Sequence, residues 1–198
     1  MYQYILKKTA WFVAVIMILI SQTAFAEHFH YFVDVETTFK VDQNQQLNSI
    51  DVSWVYDEKM SALMKAQNPN LQALGKKTLA DLAGSHYFMN IKFNGQPVQT
   101  TQVKQFQLTE ITDKGKKHLQ LDFTLPFAHP ISMKGKNKLT WNFADPSGVA
   151  ILAYSKVTGV RLVEEPLKSH CKAKMRTNDD EGKGHGDPEQ FLKLKCSL

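Results

Sequence analysis

Two histidines separated by one residue, His28 and His30, have a spacing suited to metal chemistry. On a strand, residues i and i+2 point to the same side about 6.5–7 Å apart, so two imidazoles can converge on one ion. Asp34 lies about 20 Å from His28 at roughly 3.3 Å per residue, too far to share that coordination sphere. Further ligands must therefore come from other segments. Asp57 and Glu58, directly after Trp54-Val55-Tyr56, are one source, and Asp145 in Asp145-Pro146-Ser147-Gly148 is another. Each has a purely structural alternative. Histidines on an exposed strand need bind nothing. Asp57 suits the N-cap of a helix with Glu58 in its first turn, and an Asp-Pro turn is common.

Other chemistry is poorly represented. His86, His118 and His129 follow a glycine, begin a strand and precede a proline, which are ordinary settings for surface or packed histidines. There is no G-x-S-x-G elbow, H-E-x-x-H helix, phosphate loop or dinucleotide fingerprint, so a non-catalytic protein is expected. Cys171 and Cys196 are the only cysteines. In an oxidising compartment such a pair forms a disulfide. The competing arrangement is a metal site of His170, Cys171, His185 and Cys196, which lacks any C-x-x-C spacing and needs reduced thiols.

The elements that must position these residues follow from periodicity. Phe29, Tyr31, Val33 and Val35 alternate with His28, His30, Asp34 and Glu36, and Ile50, Val52, Trp54 and Tyr56 alternate with polar residues after Asp42-Gln43-Asn44. Together they predict an antiparallel hairpin. Met60, Leu63 and Met64, then Leu71, Leu74, Leu79 and Leu82, have helical spacing and predict a two-helix insertion over about 58–84, interrupted at Asn68-Pro69-Asn70. Strand patterns return at Phe88–Phe93, Val103–Thr109, His118–Pro126, Lys138–Phe143, Val149–Thr158 and Val160–Val163. Asn94-Gly95 and Asp113-Lys114-Gly115 mark turns between them. The expected fold is mainly β, an antiparallel β-sandwich over residues 27–165, with residues 166–198 a polar C-terminal extension whose loop is tethered by the disulfide.

Residues 1–26 have the form of a secretory signal. Lys7 and Lys8 precede an apolar run from Trp11 to Ile20, and Ala24-Phe25-Ala26 offers a cleavage site. Export to the periplasm is expected, with no lipid anchor because no cysteine lies near that site. If cleavage follows Ala26, the histidines stand second and fourth in the mature chain, which does not fit copper sites built on a histidine at position one or three. Of the 198 residues, 22% are charged and 43% hydrophobic, the composition of a globular protein. The formal net charge of +5 falls to +3 once Lys7 and Lys8 are removed. No dense basic run interleaved with aromatics appears, so nucleic acid is not an expected partner.

The order of motifs resembles a known family. It runs His28-Phe29-His30-Tyr31-Phe32-Val33-Asp34, then W-x-Y-D-E-x-x-S-A from Trp54 to Ala62, a helical insert and N-G-x-P from Asn94 to Pro97. L-x-F-x-L-P-F from Leu121 to Phe127 and Asp145-Pro146 follow. Over residues 28–165 the chain is similar to exported domains of unknown function labelled as periplasmic components of an uncharacterised ABC-type transport system. That resemblance implies a role beside zinc, nickel or cobalt transport, with an inner-membrane metal transporter as partner. It also implies ligand roles for His28, His30, Asp57, Glu58 and Asp145. Phe29 stands where the family has proline, and Asn68-Pro69-Asn70 with a lysine-bearing helix replaces an acidic, glycine-containing segment. Imidazole and carboxylate donors suit zinc and admit nickel, cobalt and copper. The alternative function is a metal-free module that docks to an envelope transporter.

Overall fold

A computed structural model describes residues 29–178 and 189–198. Contacts divide the chain into residues 1–30 and Tyr31–Leu198. In the first unit the described residues are Phe29 and His30, both exposed and outside regular structure. The second unit has its own core. Among the described residues, every buried hydrophobic side chain lies between Val33 and Cys196, which is the requirement for a unit that folds by itself.

The unit opens with β1 (Tyr31–Phe39) and β2 (Gln46–Tyr56), paired antiparallel. Val33, Val35 and Phe39 on one strand, and Ile50, Val52, Trp54 and Tyr56 on the other, are buried as their alternation requires. Helices α1 (Glu58–Gln67) and α2 (Leu71–Ala83) follow at once. Both begin on a side-chain cap: Asp57 accepts from the Met60 backbone N–H and Asn70 from that of Ala73. Gly75 lets α2 approach closely, since a Cβ there would lie 3.0 Å from the Leu108 Cβ. The Ser61 hydroxyl donates to the Tyr56 carbonyl (3.2 Å) and accepts from the Leu119 N–H (2.8 Å), which fastens α1 to the sheet beneath.

A turn at His86–Phe88, with positive φ at all three residues, leads into β3 (Met89–Phe93). Then come β4 (Gln96–Pro97), β5 (Phe106–Asp113), β6 (Lys116–Ser132), β7 (Lys136–Phe143), β8 (Ala150–Ala153) and β9 (Val160–Leu162). Asn94-Gly95, with φ of 49° and 89°, forms the tight turn between β3 and β4. The chain closes with α3 (Leu167–His170), β10 (Cys171–Asn178) and β11 (Glu189–Ser197).

Two sheets result. The first has the order β5-β6-β2-β1-β8, with β9 also pairing β1, and the second the order β10-β11-β7-β3-β4. Trp54 of the first meets Phe143 of the second edge-on at 6.0 Å, and Phe39 meets Trp141 at 4.9 Å. The Tyr154 hydroxyl accepts from Trp141 Nε1 (2.8 Å) and donates to the Thr37 hydroxyl (3.2 Å), a polar link between the sheets. Burial raises the Tyr154 phenol well above its ordinary pKa, so it stays a neutral donor. The architecture is the expected β-sandwich with a two-helix insertion after the first hairpin, and Cys171–Cys196 is a disulfide.

Several boundaries differ from the sequence pattern. The strand expected over Val149–Thr158 is only four residues long, because the backbone of Tyr154 leaves β1 and bonds instead to the side chain of Gln190 (2.7 and 3.2 Å). β5 starts at Phe106 instead of Val103, whose N–H goes to the Tyr87 hydroxyl (2.9 Å). β6 runs through Pro126 to Ser132, and a register shift between Leu47 and Ser49 of β2 absorbs the irregularity. The stretch expected to be a polar extension supplies β10 and β11, with β11 paired to β7. The tethered loop expected at Asn178–Glu189 falls largely on 179–188, outside the described residues.

Candidate functional site

The start of β1 is where topology gathers the predicted carboxylates. β2 runs antiparallel to β1 and ends beside its first residues. There the Asp57 N–H donates to the Phe32 carbonyl (2.9 Å), while the Phe32 N–H donates to Asp57 Oδ2 (2.7 Å). On the other side β8 runs parallel to β1 and begins there, with the Tyr31 N–H donating to the Val149 carbonyl (3.1 Å). The turn before β8 holds Asp145, so Asp57 and Asp145 flank Tyr31. The Tyr31 phenol registers both: burial, then the charge of Asp145, then that of Asp57, raise its pKa. Tyr31 was not among the candidate ligands that the sequence singled out.

The two carboxylates are occupied to different degrees. Asp145 accepts from the Ser147 N–H (2.9 Å), the Ser147 hydroxyl (2.7 Å), and the N–H groups of Val149 (3.1 Å) and Ala150 (2.8 Å). Burial acts to raise its pKa, but these donors outweigh it and hold the carboxyl below its usual value. Four donors fill the roughly four lone-pair sites of a carboxylate. Among the described residues Asp57 accepts from Met60 at Oδ1 and Phe32 at Oδ2, both at 2.7 Å, which leaves acceptor capacity on each oxygen. Glu58 is an exposed ion-pair partner of Lys116 (2.9 Å). Asp57 therefore keeps acceptor capacity, while the hydrogen bonds of Asp145 shape its turn.

The remaining candidates separate clearly. His28 lies outside the described residues, and His30 is exposed at the end of the 1–30 unit. Among the described residues no group of three or more His, Cys, Asp or Glu side chains is placed to hold a metal ion. The thiol-based alternative is closed by the Cys171–Cys196 disulfide, and its His185 is outside the described residues. His118 Nδ1 lies 2.9 Å from the Tyr56 carbonyl, a structural hydrogen bond at the α1 end of the sheet.

The chain belongs to the family described as Protein of unknown function (DUF1007), which matches residues 12–191. That span includes His28, His30, Asp57, Glu58 and Asp145. A search of curated proteins found no match. Among solved structures the chain is similar to the AChBP of Bulinus truncatus, with 7% identity over 87% of this chain and 89% of that one, at a TM-score of 0.35. Among the described residues no helix is long and apolar enough to cross a membrane.

Proposed function

We propose that this chain is a periplasmic, non-catalytic metal-binding accessory protein that supports the uptake or distribution of zinc, with nickel, cobalt and copper as competing ions. The observation that carries this reading is the placement of Asp57 and Asp145 on either side of Tyr31, the residue that follows the His-x-His motif in the chain. In this reading His28 and His30 are the imidazole donors, on the strength of their spacing. Asp57 is the carboxylate with open acceptor capacity. Asp145 holds the turn next to β8 and contributes negative charge. An inner-membrane metal transporter is the partner that the motif resemblance supplies.

Metal affinity in such a site falls as the histidines take up protons, because the ligating nitrogen must be free. The test is a thermal titration of residues 27–198, first chelated and then given each of the four metals. At a hundred times the dissociation constant, a bound metal stabilises by about 2.7 kcal/mol, a rise of roughly 5–11 °C for a chain of this size. The rise is expected for zinc, and His28→Ala/His30→Ala should abolish it. A flat response to all four metals would overturn the reading.

A metal-free docking module is the second reading, supported by Phe32. This aromatic side chain is 59% exposed on β1. A protein that gives no metal response yet co-purifies with a transporter, and loses it on Phe32→Ser, fits this reading instead.

A further inference from the structure

The outer face of the second sheet carries a concentration of positive charge that no acidic partner among the described residues balances. Lys138 of β7, Lys195 of β11 and Lys172 of β10 stand directly opposite one another across three strands, and Lys193 stands opposite Lys174 in the adjacent row. With Lys136 they line one groove of about 620 Å³, and among the described residues no acidic one lines it. All six are exposed. Among the described residues none of the six is in an ion pair. Like charges facing each other across strands destabilise a sheet, and no described residue offsets that cost with an ion pair.

The same face has an apolar component. Phe191 of β11 points outward two residues before Lys193, is 38% exposed and sits opposite Arg176. It lines a second groove that shares Lys174 and Lys193 with the first. An exposed lysine surface with one outward aromatic ring at its edge matches an anionic bilayer. The ammonium groups reach the phosphates while the ring enters the headgroup layer. The disulfide that staples β10 to β11 belongs to an oxidising compartment, where lipid headgroups are a more available polyanion than nucleic acid.

We propose that the outer face of the β10-β11-β7 sheet is a docking surface for an anionic phospholipid bilayer, with the lysine rows contacting phosphates and Phe191 the headgroup layer. The site is separate from the Tyr31 region and does not rest on metal binding.

The test is co-sedimentation of residues 27–198 with vesicles of equimolar phosphatidylglycerol and phosphatidylcholine, against phosphatidylcholine alone. Binding is expected only to the anionic vesicles and should fall with added salt. A surface lysine contributes roughly fivefold to such partitioning, so Lys138→Glu/Lys172→Glu/Lys195→Glu should lower it by about a hundredfold or more. Lys76→Glu/Lys104→Glu/Lys156→Glu, with the same net charge, should retain most of the binding. Circular dichroism and the melting temperature confirm that both variants fold, and Phe191→Ser provides a milder second variant expected to weaken binding. Absence of binding to anionic vesicles would overturn the proposal. So would equal losses in the two triple variants, or tighter binding to a single-stranded thymidine oligonucleotide than to the vesicles.

Discussion

On the outer face of the first sheet, Asp51 meets both Lys40 and Thr124 at 2.8 Å, Glu36 meets Arg161, and Gln120 donates to Asp122. On the outer face of the second, Lys138, Lys195 and Lys172 form a row of like charge. Both faces are built from strands whose other side is core, so burial does not distinguish them. The difference is closure: among the described residues, Asp51 and Glu36 on one face pair with Lys40 and Arg161, and the lysine row on the other has no acidic partner. A smaller version of this contrast flanks Tyr31, where Asp145 has four internal donors and Asp57 has two. Polar groups satisfied internally hold the fold, while those left open are where a ligand or surface can be recognised.

The largest expected effect concerns the cross-link that holds the open face together. Cys171→Ser/Cys196→Ser removes a bond between residues 25 apart, a loss of about 3 kcal/mol on a chain-entropy account. Calorimetry should show the melting temperature fall by roughly 6–12 °C. Amide exchange should rise in β10, which is an edge strand, and stay protected in β2 and β6. Equal loss of protection in both sheets would show that they do not differ in this way.

A middle-sized effect separates the two carboxylates. Asp145→Asn leaves N–H donors facing an amide and should cost about 1–2 kcal/mol. Asp57→Asn keeps one acceptor for the Met60 cap but loses the one for the Phe32 N–H, and should cost less, about 0.5–1 kcal/mol. The folded pKa of Asp145 is depressed, so its contribution is present above the unfolded value of about 3.9 and disappears as pH falls through the lower folded value. Melting temperatures from neutral pH to pH 2 should therefore converge for wild type and Asp145→Asn at the acid end. A constant gap would mean that the carboxylate charge is not what stabilises the turn.

The smallest effect addresses the two faces directly. Lys195→Glu creates an opposite-charge pair with Lys138 and another with Lys172, each giving roughly 0.2–0.4 kcal/mol because all three positions are exposed. The melting temperature should rise by about 1–3 °C. Asp51→Ala, which opens a closed network, should lower it by a similar amount. If both variants lower it, charge closure is not the distinction between the faces.

Much of the first sheet was readable in advance, because Val33, Val35, Ile50, Val52, Trp54 and Tyr56 keep strict alternation and Asp113-Lys114-Gly115 marks the turn from β5 to β6. Asp57 was also readable as a helix cap. The β10–β11 hairpin was harder. Its inward positions are Cys171, Ala173, Met175, Leu192, Leu194 and Cys196, a period of two, but lysines between them and the polar stretch at 179–188 give the region the average composition of a loop. Nor could spacing reveal that Asp57 and Asp145, 88 positions apart, border the same residue. That follows from β1 lying between an antiparallel neighbour and a parallel one, a choice made by long-range packing and not by local pattern.

The parallel pairing of β1 with β8 and β9 has a consequence for the order of events during synthesis. Residues 31–39 wait for residues 150–162 before their second side is covered. A chain stopped before Ala150 would present β1 as an open edge of alternating apolar residues, the kind of surface that recruits other chains. Contacts this distant in sequence also slow folding. Completion of the first sheet is therefore postponed until nearly the whole polypeptide has been made, and truncated products should accumulate as aggregates.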